Sequence, residues 1–342
     1  ELNAELPYWL ANTRSTIKPL KRDFTGGENT EAFARQVVVS LSPAETEALL
    51  REVPAAYRTQ INDVLLTALV QALNEWNGES SCLIDLEGHG REDIIEGVDL
   101  SRTVGWFTTI FPVLLKVNPT DGPGDALKSI KEQRRAVPNR GIGYGLLRYL
   151  GNQPEKFKAM PQAEIVFNYQ GQFDQILSQS SFLASANESA GPIHSPRANR
   201  RHVLSINGAV MNGQLKMIWT YSENIYRRQT IEHLAGGFVA ALQSLISHCQ
   251  SPEAGGYTPS DFPLANLDQE SLARVAGNNR QIEDIYTLSP MQQGILFHAL
   301  YARTSDVYTI QLNYTLSGKL DVAALKQAWQ QVVNRHAILR TS

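Results

Sequence analysis

The run Glu87-Gly88-His89-Gly90-Arg91-Glu92 follows a short apolar stretch, Cys82-Leu83-Ile84-Asp85-Leu86. A period of two puts Cys82, Ile84 and Leu86 on one face of a strand and Leu83, Asp85 and Glu87 on the other. A carboxylate at the end of a buried strand is paired or protonated, and either state displaces its pKa. Gly88 and Gly90 lack a Cβ, so the chain turns sharply there and another molecule can approach closely. Taken alone, the run also fits a strand-to-loop turn with solvated charges. Its surroundings favour the functional reading.

Upstream, residues 1–30 read as irregular, with Tyr8-Trp9 as an aromatic anchor. Ala34 to Leu41 alternates as a strand, and Ser42-Pro43-Ala44-Glu45 carries the signature of a capped helix start. Ile61, Val64, Leu65, Ala68, Leu69, Ala72, Leu73 and Trp76 recur at helical spacing, and Gly78 ends that helix. Downstream, a strand over Val104 to Val117 is interrupted at Pro112, and a polar-faced helix runs from Asp125 to Val137. Pro138 to Gly145 is a glycine-rich loop without the glycine order or the Lys-Ser/Thr of a phosphate cradle. Glu164 to Tyr169 is a strand with Ile165, Phe167 and Tyr169 on one face and Val166 and Asn168 on the other. Asn212-Gly213 joins two strands, His202 to Met211 and Leu215 to Tyr221, as a hairpin. Thr230 caps a helix reaching Ile246.

At Ser251 the composition changes. Pro252, Gly255, Gly256, Pro259 and Pro263 mark a linker over 251–284. A second unit over 285–342 then offers a helix capped by Ser289-Pro290 through Tyr301, a strand over 308–316 and a helix opened by Asp321. Each of its elements is expected to bury one face. With 342 residues, two units are a fair expectation. A hydrophobic share of 42%, a charged share of 19% and a net charge of −3 describe an ordinary globular protein, with no nucleic-acid or membrane surface. The 2 cysteines, Cys82 and Cys249, build neither a disulfide framework nor a zinc site, which points to a reducing cytoplasm. Glu1 and Ser342 both look cut, so the chain reads as a piece of something longer.

Five segments in order resemble the C-terminal half of an epimerization domain of a nonribosomal peptide synthetase, a member of the condensation-domain superfamily. They are Asp63-Val64-Leu65-Leu66-Thr67-Ala68-Leu69, Glu87 to Glu92, Arg102-Thr103-Val104-Gly105-Trp106-Phe107-Thr108, Pro138 to Gly145, and Phe167-Asn168-Tyr169-Gln170-Gly171. The resemblance covers about residues 1–250. The segments 288–298 and 335–341 resemble the opening motifs of a condensation domain. There are departures: Gln170 replaces a leucine, and Phe111 stands where a tyrosine is usual before Pro112. The paired-histidine motif HHxxxDG is absent, since none of the 7 histidines adjoins another.

The resemblance implies a mixed α/β, chloramphenicol-acetyltransferase-like sandwich of two lobes, here mostly the C-terminal one. It implies proton removal and return at the α-carbon of an aminoacyl or peptidyl thioester. The partners it implies are a peptidyl carrier protein, which delivers the substrate on a phosphopantetheine arm, and neighbouring synthetase domains. No cofactor is bound directly. Glu87 is then one acid–base group, opposite a histidine outside the chain. Tyr169 relays a proton or stabilises the enolate, and Asn168 orients it. Gly88, His89, Trp106 and Phe107 line the substrate channel, with His89 read as a turn residue rather than a base. Because Asn168 and Tyr169 alternate across their strand, only one points straight into a channel unless the strand is bulged. Arg91 and Glu92 read as a local ion pair or as backbone binders, and Arg200-Arg201 and Arg227-Arg228 as solvated charge. Two rival classes remain: a peptide-bond-forming condensation domain, and a silent relative that only recruits partners.

Overall fold

A computed structural model describes residues 2–11, 17–92, 97–173, 191–277, 279–301 and 310–341. It divides into one unit over Glu1–Tyr286 and another over Thr287–Ser342. The strands of the first unit are β1 (Ala34–Ser40), β2 (Ser81–Gly88), β3 (Thr109–Lys116), β4 (Ile165–Gln172), β5 (Leu204–Met211) and β6 (Gln214–Ser222). Its helices are α1 (Leu6–Trp9), α2 (Pro43–Arg51), α3 (Val53–Tyr57), α4 (Ile61–Asn77), α5 (Pro123–Arg135), α6 (Ile142–Leu150), α7 (Pro154–Lys158), α8 (Arg228–Gln250) and α9 (Gln269–Ala276). The strands form one mixed sheet in the order β1-β6-β5-β4-β2-β3. Within it, the β5–β4 and β4–β2 pairs are parallel and the others antiparallel.

Helix α4 is buried from Asp63 through Val70 without a break, as expected of a helix that is apolar nearly all round. Gln60 and Asp63 close a capping box at its start, and Gly78 ends it at φ +76°. Helix α8 packs along it and presents Ile231, Leu234, Phe238, Leu242 and Leu245 to the core at helical spacing. These side chains join Ile84, Leu86, Ile165, Phe167 and Ile206 of the sheet in one cluster. Each full burial of this kind contributes about 1.5–3 kcal/mol. The Ser42–Glu45 capping box forms, and the Asn212-Gly213 turn has both residues at positive φ (53° and 71°), as a tight hairpin requires.

Several expectations are corrected. The strand foreseen over 104–117 begins at Thr109, and Pro112 does not interrupt it: β3 lies at the sheet edge, where a missing N–H is tolerated. The stretch 138–145 is not a loop but a 3₁₀ turn over Pro138–Gly141 leading into α6. There Gly143 lets the buried Glu5 carboxylate lie against the helix, since a Cβ would come within 2.3 Å of its Oε2. The described residues of the first 30 are only partly irregular, because α1 buries Trp9 completely. Helix α8 starts at Arg228, two residues before the expected cap.

The proline- and glycine-rich stretch read as a linker is built into the first unit. Tyr257, Phe262, Leu272 and Ala276 form a small core of their own. The fully buried Lys131 of α5 donates to Asp261 Oδ2 at 2.6 Å, and the Arg58 guanidinium lies over the Tyr257 ring at 4.7 Å.

The second unit holds α10 (Pro290–Tyr301) and α11 (Val322–Arg335), the latter capped by Asp321. None of its described side chains is buried, and Trp329 is 63% exposed. The strand foreseen over 308–316 begins outside the described residues, and 310–316 is irregular. A strand needs a neighbour to satisfy its backbone, and this unit supplies none among the described residues. No described helix is long and apolar enough to cross a membrane.

Candidate active site

The parallel register Asp85↔Val166 and Leu86↔Phe167 brings the end of β2 beside the end of β4. Glu87 and Asn168 therefore share a face, and Asn168 Nδ2 donates to Glu87 Oε2 at 2.6 Å. The amide orients Glu87, not Tyr169 as expected, because alternation sends Tyr169 to the opposite face. Tyr169 packs against the main core, and its hydroxyl is buried with no hydrogen-bond partner. Beyond Tyr169, β4 bulges before Gln172, and Gly171 turns at φ +92°. Glu87, Asn168 and Tyr169 all line one cavity of about 570 Å³ at this end of the sheet, with Leu66, Phe111 and Arg134 among its other walls.

Burial raises the Glu87 carboxyl above its ordinary pKa, and the nearby His202 offsets part of that rise. Burial also pushes the Tyr169 phenol up to about 12, so at neutral pH it is a hydrogen-bond donor. Asp85, one pleat before Glu87, is buried and paired with His202 Nε2 at 2.8 Å and Arg201 at 3.4 Å.

The loop after β2 is held from both sides. His89 Nδ1 accepts from the Arg91 N–H at 3.0 Å, and its Nε2 lies 3.2 Å from the buried Glu92 carboxylate, which fits a turn residue. Arg140 holds the other Glu92 oxygen at 2.7 Å. Arg140 and Asn139 both sit in the left-handed region (φ 52° and 45°). Asn139 donates to Glu5 at 2.7 Å, so the N-terminal segment steadies this turn. Arg91 does not pair with Glu92; it donates to the Leu100 carbonyl at 2.8 Å and lies over the Phe107 ring at 4.3 Å.

Of the expected channel residues, Gly88 and His89 line the cavity, whereas Trp106 and Phe107 do not. Trp106 is 90% exposed, because 104–108 runs outside the sheet ladder. Arg200 and Arg201 are more than solvated charge. Arg200 donates to the Thr220 carbonyl at 3.0 Å, and Arg201 faces Asp85. Arg228 pairs with Glu232 on its own helix, and Arg227 lies over the Phe24 ring. Sequence reasoning missed the roles of Asp85, His202 and Arg140. Asp85 alone carried a signal, as an acid on a buried strand.

Gly90 sets the exit from this loop. It has φ +65°, and a Cβ there would lie 1.6 Å from the Phe107 carbonyl oxygen. Gly90→Ala should destabilise the unit by more than the roughly 1–2 kcal/mol of left-handed strain alone. Gly97→Ala, at φ +77° with nothing within 4 Å, should show only that strain. Equal thermal midpoints for the two variants would mean that the Phe107 carbonyl yields freely.

The family profile described as "Condensation domain" matches residues 1–267 and 282–342. The chain belongs to the condensation-domain family. Its first unit has the mixed α/β, chloramphenicol-acetyltransferase-like fold. It is 51% identical over 346 residues to one of the linear gramicidin synthase polypeptides of Brevibacillus parabrevis, covering 100% of this chain and 4% of that protein. To bacitracin synthase 3 of Bacillus licheniformis it is 36% identical over 342 residues, covering 100% of this chain and 5% of that protein. The chain thus spans only a small part of these relatives. Among solved structures it is similar to the epimerization domain from the third module of tyrocidine synthetase B. That match has a TM-score of 0.66 and 34% identity, and covers 72% of this chain and 56% of the other.

Proposed function

We propose that residues 1–250 are the C-terminal part of an epimerization domain of a nonribosomal peptide synthetase, and that 285–342 open a condensation domain. The observation that carries the activity is a half-buried carboxylate of raised pKa, Glu87, sharing a cavity with the unpartnered phenol of Tyr169. The 34% identity to a solved epimerization domain supports the reading, as does the family match in two separate stretches.

The substrate is an aminoacyl or peptidyl group on the phosphopantetheine arm of a carrier protein. Glu87 takes the α-proton as the Cα–H bond breaks, and the electron pair moves into the thioester as an enolate. The Tyr169 hydroxyl donates to the enolate oxygen, and Asn168 keeps Glu87 aimed. A paired-histidine group outside this chain returns a proton to the opposite face. No atom is lost and no redox change occurs.

The test loads an aminoacyl thioester on the carrier within the parent polypeptide, in deuterated water. Deuterium uptake at the α-carbon together with mixed product chirality is expected. Peptide-bond formation without exchange would assign the site to condensation instead.

A further inference from the structure

Helix α4 opens onto the cavity. Gln60, its cap, accepts from Arg134 Nη2 at 2.6 Å, and Arg134 also binds the buried Asp63. Asp63 Oδ2 in turn accepts from the Gln60 N–H at 2.7 Å. Asn62 lies between these two fixed neighbours and also lines the cavity. Its side-chain oxygen is nevertheless buried without a hydrogen-bond partner. An unpaired buried acceptor is unfavourable by about 1–3 kcal/mol, so such a group calls for a partner, whether water, an ion or a ligand. The Tyr169 hydroxyl is in the same position, as a donor. Two residues that line the cavity, Asn62 and Tyr169, thus each carry an orphan polar atom, one an acceptor and one a donor, with the Glu87 carboxylate as a third group. A ligand that satisfies both orphans presents an N–H and a carbonyl oxygen.

We propose that Asn62 is a recognition residue: its side-chain carbonyl accepts a hydrogen bond from the N–H on the α-carbon of the bound acyl group. This rests on the epimerization reading for the identity of the ligand. With the phenol on the thioester oxygen and Glu87 at the α-hydrogen, the α-nitrogen is the remaining polar substituent of that carbon. The rigid helix start fixes the acceptor before substrate arrives, so little side-chain freedom is lost on binding. The site selects α-amino and peptidyl acyl groups over acyl groups lacking that N–H.

Calorimetry with unreactive pantetheine amides tests this in the parent polypeptide. One ligand carries an N-acetyl-aminoacyl group, and the second replaces the α-N–H by CH₂ at equal size. A third replaces an amide N–H of the pantetheine arm instead. The parent should prefer the first ligand over the second by roughly tenfold, as one net hydrogen bond allows. Asn62→Leu, which lacks an acceptor, should lose that preference, while Asn62→Asp, which keeps one, should retain it. No preference in the parent, a preference unchanged in Asn62→Leu, or one lost equally in Asn62→Asp would each overturn the assignment. So would Asn62-dependent discrimination of the third ligand alone, which would move the contact to the arm. Deuterium exchange is followed separately with the thioester. Its absence beside an intact N–H preference would sink the epimerization reading and leave the Asn62 contact standing.

Discussion

Glu87→Gln should slow α-proton exchange by at least about 10²–10⁴-fold, the range a positioned acid–base group supplies, while carrier binding changes little. The glutamine keeps the size of the side chain and an oxygen for Asn168, whose Nδ2 donates to Glu87 Oε2 at 2.6 Å, but it cannot cycle a proton. Tyr169→Phe should cost less, because the phenol stabilises charge without carrying the proton off carbon. The pH profile adds a sign. Burial raises the Glu87 pKa, so the carboxylate that acts as base forms only as pH climbs past the ordinary glutamate value. Exchange in the parent should rise through that displaced pKa. The same shift links to stability with the opposite sense. A raised carboxyl pKa gives stability that is complete below the unfolded value and is lost as pH rises through the folded one. Glu87→Gln should therefore be at least as stable as the parent at neutral pH, and the difference should vanish in acid. Full exchange by Glu87→Gln would remove Glu87 from the mechanism.

The part of this site that was legible in the sequence is the part that periodicity encodes. Alternation placed Glu87 on the face away from Ile84 and Leu86, and likewise separated Asn168 from Tyr169. It could not say that β2 and β4 are neighbours, so nothing in the pattern corrected the resemblance, which attached Asn168 to Tyr169 rather than to Glu87. The partners that hold the loop come from far along the chain: Arg140 reaches Glu92 across 48 positions, and His202 reaches Asp85 across 117. No local pattern carries such pairings. Trp106 stands apart from the cavity. Its aromatic character suggested a channel wall, but side-chain type does not reveal where a sheet ladder begins. The 138–145 stretch failed for a third reason. Gly143 serves close packing against Glu5 and Gly141 against the Phe111 ring rather than a loop, and tertiary contact overrode propensity.

The prolines and glycines of 251–284 suggest a linker and say nothing of the buried Lys131–Asp261 ion pair, and removing that pair should have the largest effect on stability. Lys131 is fully buried, donating to the Tyr57 carbonyl at 2.7 Å and to Asp261 Oδ2 at 2.6 Å. Burial pulls the Lys131 pKa down from its usual value, with Asp261 opposing. At Asp261, burial pushes up, but hydrogen bonds from Lys131, the Thr258 N–H and Arg135 together outweigh it and hold the carboxyl low. Asp261→Ala leaves an ammonium in the interior with one carbonyl, and breaking a buried pair in this way costs about 3–5 kcal/mol. The segment around Tyr257 and Phe262 should then loosen from α5 and become open to protease before the main core unfolds. Replacing both partners, Lys131→Met with Asp261→Leu, should recover part of the loss, because no ammonium is left in the interior, although Arg135 and the Thr258 N–H still lose their acceptor. Acid should act like the single variant. A depressed carboxyl pKa gives stability that is present above the unfolded value of 3.8 and fades as pH falls through the folded one. Denaturant midpoints and cleavage rates within 251–286 measure both effects. Protection of this segment unchanged in Asp261→Ala would mean that the small apolar core holds it alone, and that the ion pair only fixes its register.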